Sequence, residues 1–462
     1  MNSIDEIEKG KKPWIKGVAC VCFVLMPAVL LFVAIITLAV NVPYWDDYDA
    51  IVRYLGWPFA ERMQHLFDFH NEHRIVTVRL FLESMVAVTG KVNFKACMIL
   101  GSMQLVVIFA FFAYFYLKQF GRRLGFAILV PASWHLFSML NFDNAFWALT
   151  ALENFGVLMW AFLAIILYSG ASSRHTLFLA WICAFLSILT SAQGLAVLMV
   201  FLLMSVVPSV ECHSWRTLIG HVKQRVPYRA FGVLACMAGT FVLYFWGFAP
   251  GAENVAVASA SCLDRLLYVI AFAGNLVPIY PIALICGCLV LAGVAYVTWH
   301  FPCLPARMRP VFFFMLYCVG VAAAGVFFRA SDPHAALSFR YYIITACLFV
   351  SVVGLLLSLE GKVSCLLRKC VPLLLAGFLA LDIFVFVIGW PMFAERNEAL
   401  RKNLLTWPEH LEGLRVDEKK YEASARALHR LEEKGVYDHF KLLHDGEKQP
   451  QEPVPWPKPH FP

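Results

Sequence analysis

A short stretch of the chain concentrates residue types that could do acid–base chemistry. Between Asn41 and Arg74 lie six of the 18 Asp and Glu residues that precede Pro391, including the adjacent pair Asp46 and Asp47. A carboxylate can act as a general base toward a hydroxyl group, and such a pair can hold a divalent cation such as Mg²⁺ or Mn²⁺ facing a phosphate. The alternative is a solvated loop whose aromatic residues lie at a membrane surface.

Five consecutive polar side chains end this stretch: His70, Asn71, Glu72, His73 and Arg74. His70 and His73 are three residues apart, a spacing that suits two ligands of a metal ion on one face of a helix. The alternative is that the two histidines cap and orient the helix. A planar guanidinium grips phosphate through two parallel hydrogen bonds. Arg74 and Arg79 are therefore candidate phosphate ligands.

Later positions add polar side chains beside or inside apolar runs. Glu153 lies within such a run, where an ionisable group is costly and usually faces a cavity or a partner. Arg329 and Arg340 flank a polar loop, and they either bind phosphate or extend toward lipid headgroups. Gln193 at a predicted turn and Tyr341 beside Arg340 complete the set of candidates.

Composition indicates that these residues belong to a membrane protein. Of the 462 residues, 60% are hydrophobic and 15% are charged, whereas soluble domains carry roughly 45–50% apolar and about 25% charged residues. These values exclude a soluble enzyme, a nucleic-acid-binding protein and a disordered chain. Apolar runs of about 20 residues recur, which predicts an all-α polytopic protein in a lipid bilayer.

About eleven transmembrane helices are predicted, at 18–40, 94–117, 124–140, 146–168, 176–190, 194–207, 230–248, 278–300, 311–328, 341–358 and 371–390. Lysine and arginine mark the cytoplasmic side. With the N-terminus inside, 17 basic residues fall on the cytoplasmic side and nine fall outside before Pro391. This bias predicts a cytoplasmic N-terminus and, with an odd number of spans, an external C-terminus.

The predicted organisation has three parts. A cytoplasmic segment, 1–17, precedes the membrane domain, 18–390, whose long first outer loop at 41–93 carries interfacial helices and the candidate site. The tail, 391–462, holds 25 of the chain's 69 charges and reads as a short soluble helical appendage that ends in a Pro-rich extended arm.

The order of these motifs resembles integral-membrane glycosyltransferases of the GT-C superfamily, and within it the bacterial O-antigen-modifying, serotype-converting glucosyltransferases. The matched stretch runs from Asn41 to Tyr342, most of the membrane part. The motifs are Tyr44-Trp45-Asp46-Asp47, His70-Asn71-Glu72-His73-Arg74 with Arg79, Asn144-Ala145-Phe146-Trp147-Ala148 with Glu153, Gln193-Gly194, and Ser338-Phe339-Arg340-Tyr341. The tail is shorter than the substantial outer C-terminal domain that these enzymes often have.

The resemblance implies an inverting hexosyltransferase at the outer face of the bacterial inner membrane, with a periplasmic C-terminus. The donor would be a polyprenyl-phosphate-linked sugar, and the acceptor a cell-envelope glycan or a lipid-linked glycan. Asp46 or Asp47 would be the base, with Asp47 preferred, and the pair would hold a divalent cation if one is used. The implied phosphate ligands are Arg74, Arg79, Arg329 and Arg340, and the implied substrate-site residues are His70, Asn71, Glu72, His73, Glu153, Gln193 and Tyr341.

Three other functions remain open. A transporter or flippase of a lipid-linked saccharide would spread charges toward the middle of the spans. An envelope polysaccharide polymerase or ligase would carry its key residues in a large later loop. A non-catalytic assembly protein would tolerate neutral residues at Asp46 and Asp47.

Overall fold

The computed structural model describes residues 13–207, 214, 217, 227–248, 260–329, 332–359, 362–407, 409–416 and 418–438. Within these ranges the chain is helical and contains no β-strand. Its main helices are α1 (Pro13–Leu38), α2 (Phe59–Gln64), α3 (Val76–Thr89), α4 (Phe94–Leu136), α5 (Ala148–Ser169), α6 (Arg174–Ile188), α7 (Ala196–Val206), α8 (Pro227–Tyr244), α9 (Cys262–Ala273), α10 (Tyr280–Trp299), α11 (Arg309–Arg329), α12 (Tyr342–Ser358), α13 (Lys362–Leu404) and α14 (Tyr421–Glu433).

The prediction of an all-helical, multi-pass membrane protein is confirmed. Among the described residues, eight helical segments are long and apolar enough to cross a bilayer. They are Cys20–Leu38, Phe94–Arg122, Leu124–Ala145, Ala148–Ser169, Tyr280–Trp299, Ala306–Phe327, Phe339–Ser358 and Ala376–Leu404.

The count of eleven spans stays a prediction. The three remaining predicted spans coincide with shorter apolar helices, at Arg174–Ile188, Ala192–Val206 and Ala230–Tyr244. A straight crossing of a hydrocarbon core about 30 Å thick takes about 20 residues of α-helix. The pair around Gln193 is joined by a turn in which an added Cβ on Gly194 would lie 2.3 Å from the backbone carbon of Ser187. Only glycine fits at this close approach.

Two predicted spans follow one another within α4 and are separated by a kink at Gly121. This residue has φ 69° and ψ 178°, outside the helical region. A positive φ is the conformation that favours glycine, because a Cβ there meets its own backbone. The break falls between the predicted spans 94–117 and 124–140, where the hydrophobic pattern also breaks.

The last long helix carries the chain out of the membrane part and into the tail. α13 has 43 residues, so it is about 65 Å long, roughly twice the thickness of the hydrocarbon core. The predicted domain boundary at residue 390 falls inside this helix. The chain then turns back, and α14 packs on the segment 48–56 of the first loop. The predicted Pro-rich arm and the residues 1–12 lie outside the described residues.

A buried polar cluster joins α13 to two other helices. Asp382 on α13 lies with Oδ2 3.5 Å from His135 Nδ1 on α4, and both side chains are 2% exposed. The hydroxyl of Tyr342, at the start of α12, lies 2.9 Å from the same His135 nitrogen. Polar groups inside a membrane domain bridge helices when they find partners there. This cluster therefore fixes the start of α12, directly after Arg340 and Tyr341.

Candidate active site

A cavity of about 100 Å³ lies where the first loop meets the ends of several helices. The first loop, α5, the α6–α7 turn, α9, α11 and the segment 340–341 all contribute to its wall. Ten of the thirteen site residues predicted from the sequence line it: Asp46, His70, Asn71, Glu72, His73, Glu153, Gln193, Arg329, Arg340 and Tyr341. Asp47, Arg74 and Arg79 do not line it.

Asp46 is the aspartate of the adjacent pair that faces this cavity. Its side chain is partly buried and lines the wall. Burial raises the pKa of the Asp46 carboxyl above its ordinary value, although the positive charges of Arg340 and Lys420 oppose that shift. A carboxylate with a raised pKa is a stronger base, so this side chain has the properties of a proton acceptor.

Asp47 is fully buried, and both of its carboxylate oxygens already accept hydrogen bonds. The backbone N–H of Tyr44 donates to Oδ2 at 3.0 Å, and the N–H of Leu149 donates to Oδ1 at 2.9 Å. Leu149 lies in the first turn of α5, whose N–H groups lack partners within the helix. Burial raises the pKa of Asp47 to about 8, against the effect of these two donors. Asp47 thus attaches the first loop to α5 and sets the position of Asp46.

His70 and His73 lie in a two-residue turn and not on a helix. The N–H of His70 donates to the carbonyl of His73 at 2.8 Å, and the N–H of His73 donates to the carbonyl of His70 at 3.0 Å. Asn71 has φ 53°, a conformation that asparagine tolerates better than most residues. The helix predicted for this region begins only at Val76. The turn presents all four side chains of 70–73 to the cavity wall.

His73 connects the turn to the α6–α7 segment and to α5. Its Nδ1 accepts a hydrogen bond from the backbone N–H of Ala192 at 3.2 Å. A backbone N–H can only donate, so the ring proton belongs on Nε2. Nε2 lies 3.7 Å from Oε1 of Glu72 and 3.8 Å from Oε1 of Glu153. His73 therefore aligns two carboxylates along one side of the cavity.

Two arginines also line the cavity, and they differ in their partners. Arg329 Nη2 lies 2.5 Å from Glu72 Oε1. Burial alone would raise the pKa of Glu72, but His73 and Arg329 together hold it below its ordinary value. The guanidinium of Arg340 lies 5.6 Å from the ring centre of Trp147. In the part of the chain that the structure describes, Arg340 has no carboxylate within ion-pair distance, and its positive charge acts on the Asp46 carboxyl from farther away.

Buried asparagines hold the backbone beside Arg340. Asn154 Nδ2 donates to Asn144 Oδ1 at 2.7 Å, and Asn144 Nδ2 donates to the carbonyl of Arg340 at 3.2 Å. Asn275 Nδ2 donates to the carbonyl of Ser338 at 3.1 Å. A buried network whose members are paired is rigid. It fixes the direction from which Arg340 enters the cavity.

Arg74 and Arg79 serve the packing of the first loop. Three guanidinium nitrogens of Arg74 donate to the carbonyls of Phe67, Tyr244 and Trp246, with 2.7 Å to Tyr244. Arg79 is 6% exposed, and its Nη1 donates to the carbonyls of residues 65, 66 and 68 at 2.7 to 2.9 Å. Arg79 closes a turn of the loop, Arg74 connects the loop to the end of α8, and neither side chain lines the cavity.

Sequence reasoning missed the apolar wall of the cavity and two polar residues on α5. Tyr268, Phe272, Val321 and Ala324 form that wall, and Gly325 lets the Tyr268 hydroxyl approach α11, where an added Cβ would lie 2.8 Å away. Thr150 and Asn154 lie on the α5 face that carries Glu153. The spacing of Thr150 and Asn154 around Glu153 was the only available signal. Nothing in the sequence predicted which face of α9 or α11 would meet the cavity.

The carboxylates and histidines of the described residues are the groups that could hold a metal ion. Among the described residues, no three His, Cys, Asp or Glu side chains are arranged to hold a metal ion. Both oxygens of Asp47 already accept backbone N–H groups, which leaves Asp46 as the available carboxylate of the pair. A divalent cation held by this pair stays a prediction.

Comparisons with known proteins found no relative of this chain. No family model matches the chain, and neither a curated protein nor a solved structure matches it.

Proposed function

We propose that the protein transfers a sugar from a polyprenyl-phosphate donor to a cell-envelope glycan or lipid-linked glycan at the outer face of a bacterial inner membrane. The observation that carries this proposal is the composition of the cavity wall. A partly buried carboxylate, Asp46, and an arginine with no ion-pair partner among the described residues, Arg340, line the same cavity in a membrane protein. A base and an anion site in one cavity are what glycosyl transfer from a phosphate needs.

Asp46 is the general base in this proposal. The acceptor hydroxyl oxygen attacks the anomeric carbon of the donor sugar and forms the new glycosidic bond, while its proton passes to the Asp46 carboxylate. The bond between the anomeric carbon and the phosphate oxygen breaks on the opposite face, so configuration inverts. The pair Asp46 and Asp47 thus divides into a base and a structural residue, with Asp46 preferred because the oxygens of Asp47 are engaged.

Arg340 and Arg329 receive the departing phosphate. The leaving oxygen gains negative charge as its bond to the sugar breaks, and a preorganised guanidinium stabilises that charge. Arg340 takes the larger share because Arg329 is paired with Glu72. Glu153 and His73, with the turn 70–73, orient the sugar hydroxyl groups. The apolar wall of Phe272, Val321 and Ala324 suits the first isoprene units of the lipid.

The experiment is glycan mass spectrometry in a host with a defined surface polysaccharide. Cells express wild type, Asp46→Asn or the matched control Asp68→Asn, at equal membrane levels. Asp68 lies in the same loop, is exposed and is outside the cavity wall. We expect a hexose mass increment with wild type and Asp68→Asn, and its loss with Asp46→Asn.

An increment that survives Asp46→Asn would remove this residue from the chemistry and direct attention to Glu153. A wild type that yields no increment in hosts with several donor lipids would favour transport of a lipid-linked saccharide. That outcome is then checked by measuring flipping of a labelled polyprenyl-phosphate sugar in proteoliposomes.

A further inference from the structure

Trp45, the residue before Asp46, has an unusual backbone conformation. Its φ is 50°, and the one other non-glycine residue with positive φ in the described part of the chain is Asn71. Asparagine tolerates the left-handed region, whereas a bulky residue there is a genuine outlier. Such outliers persist only when the surrounding structure holds them, and they cluster at functional sites. The loop therefore keeps a tryptophan where a glycine or asparagine would fit more easily.

The C-terminal segment holds this conformation in place. The N–H of Trp45 donates to the carbonyl of Arg415 at 2.8 Å. On either side of it, the hydroxyl of Tyr437 donates to the carbonyl of Asn41 at 2.8 Å, and Lys420 Nζ lies 2.5 Å from Asp49 Oδ2. The tail thus contacts the loop before, at and after Trp45, and the conformation of this residue depends on tail contacts.

Packing does not explain why a tryptophan occupies the position. The Trp45 side chain is 48% exposed, and within the described residues its indole makes no hydrogen bond or ring contact. Its neighbours differ: the Tyr44 ring packs edge-on against Trp147 at 5.3 Å, and Tyr48 is 1% exposed. The large aromatic surface beside Asp46 is left open to the surroundings.

We propose that Trp45 is an acceptor-binding residue whose indole stacks on a sugar ring of the acceptor glycan. This inference rests on the proposed transfer reaction. The attacking hydroxyl must come within about 2.6–3.2 Å of the Asp46 carboxylate, and the Cα of Trp45 is only about 3.8 Å from that of Asp46. A glycan chain delivered to Asp46 therefore passes within reach of the indole.

The chemistry of the two partners is complementary. The face of an aromatic ring is electronegative, and the C–H groups on one face of a pyranose carry a slight positive charge and shed water readily. In this proposal the cavity that Asp46 lines holds the donor, and the acceptor approaches Asp46 past the exposed indole. In this arrangement the tail is part of the acceptor site, because the Arg415 carbonyl orients Trp45.

The test measures acceptor binding and turnover in three variants of the full-length protein. Trp45→Asn keeps a residue that accepts positive φ and removes the ring, Trp45→Phe keeps an aromatic face, and Trp45→Leu keeps apolar bulk. Trp246→Asn is the matched control, because Trp246 is 74% exposed and does not line the cavity. The probe is the purified, delipidated surface polysaccharide that wild type modifies, and equal melting temperatures establish that each variant folds.

We expect Trp45→Asn and Trp45→Leu to raise the acceptor KM and the polysaccharide Kd about tenfold, as for loss of one aromatic contact. The donor KM and kcat stay within about twofold, Trp45→Phe is intermediate, and Trp246→Asn resembles wild type. An unchanged Kd in Trp45→Asn overturns the assignment. Full activity in Trp45→Leu would instead identify an apolar anchor at the lipid surface.

Failure of the proposed function is separable from failure of this inference. If wild type transfers no sugar to any polysaccharide, the transferase proposal fails. The role of Trp45 is then tested separately, by measuring the binding of host polysaccharides without donor. A Kd that is higher in Trp45→Asn than in wild type supports the stacking role, and no measurable binding by wild type rejects it.

Discussion

The two sides of the first loop carry the same residue types but use them differently. On the side facing the cavity, Asp46 and the turn 70–73 meet Arg329 and Arg340 from distant helices. On the other side, Asp47, Arg74 and the Nη1 group of Arg79 are hydrogen-bonded to backbone groups. A charged side chain whose bonds close the fold is not available to a substrate. Residue type alone therefore does not distinguish a chemical role from a structural one.

The largest expected effect on activity distinguishes Arg340, which lines the cavity, from an arginine of the first loop that does not. Arg340→Gln removes from the cavity wall a positive charge that has no ion-pair partner among the described residues, so we expect kcat to fall roughly 10²–10³-fold with unchanged thermal stability, as when one preorganised anion-stabilising donor is lost. Transfer rates in detergent-solubilised protein measure this. Arg53→Gln, which changes an exposed arginine of the first loop outside the cavity wall, is the control. Equal activity of both variants would show that Arg340 does not meet the phosphate.

Arg79→Gln should show the opposite pattern. Its guanidinium serves three backbone carbonyls, and hydrogen bonds to charged groups contribute about 1.5–3 kcal/mol. We expect a loss of about 2–3 kcal/mol in the free energy of unfolding, with kcat per folded molecule close to wild type. Chemical denaturation in micelles and active-site-normalised rates provide the two readouts. A lower kcat with unchanged stability would show that Arg79 acts on the substrate and not on the packing of the loop.

Asp47→Ala tests the aspartate on the structural side. The substitution leaves the N–H groups of Tyr44 and Leu149 without their acceptor, and an unsatisfied buried group costs about 1–3 kcal/mol. We therefore expect a lower melting temperature and a partial loss of activity, because the loop carrying Asp46 loosens. Asp47→Asn, which keeps one oxygen, should recover part of both. If Asp47→Ala melts like wild type and has no activity, the base has been assigned to the wrong aspartate.

The smallest effect is a pH dependence of stability from His70. Burial, together with the nearby His73, lowers the pKa of His70 to about 4, so the folded protein keeps this ring uncharged. Above the unfolded value of 6.5 its contribution is fully present, and it is lost as the pH falls through the range from 6.5 to 4, because the unfolded chain binds the proton first. We expect the melting temperature of His70→Gln to fall less than that of wild type as the pH is lowered over this interval.

The difference in melting temperature between wild type and His70→Gln at each pH measures the contribution of His70. Asp46 and Asp47 have raised pKa values and contribute in the opposite direction, toward greater stability at lower pH. Identical pH profiles for the two proteins would place the His70 ring in contact with water in the folded state.

Much of the site could be predicted from the sequence because its residues are chemically conspicuous. Asp46 and Arg340 stood out as charges at the edges of apolar runs, and Glu153 as a charge inside one; all three line the cavity. The turn at 70–73 was mistaken for a helix, since three-residue spacing suits both, and only the two cross-turn hydrogen bonds distinguish them. The apolar wall from α9 and α11 was not predictable, because apolar helices carry no sign of which face meets a cavity and which meets lipid.

The sequence by itself determined the class of protein, most of its apolar helices and the concentration of charges in the first loop. These follow from hydropathy and residue type, which are local properties. The tertiary structure alone decided that Asp46 faces the cavity while Asp47 caps α5, and that the tail contacts Trp45 through Arg415. Such choices depend on which backbone groups distant segments bring within hydrogen-bond distance, and neighbouring residues of one type give no local signal of that outcome.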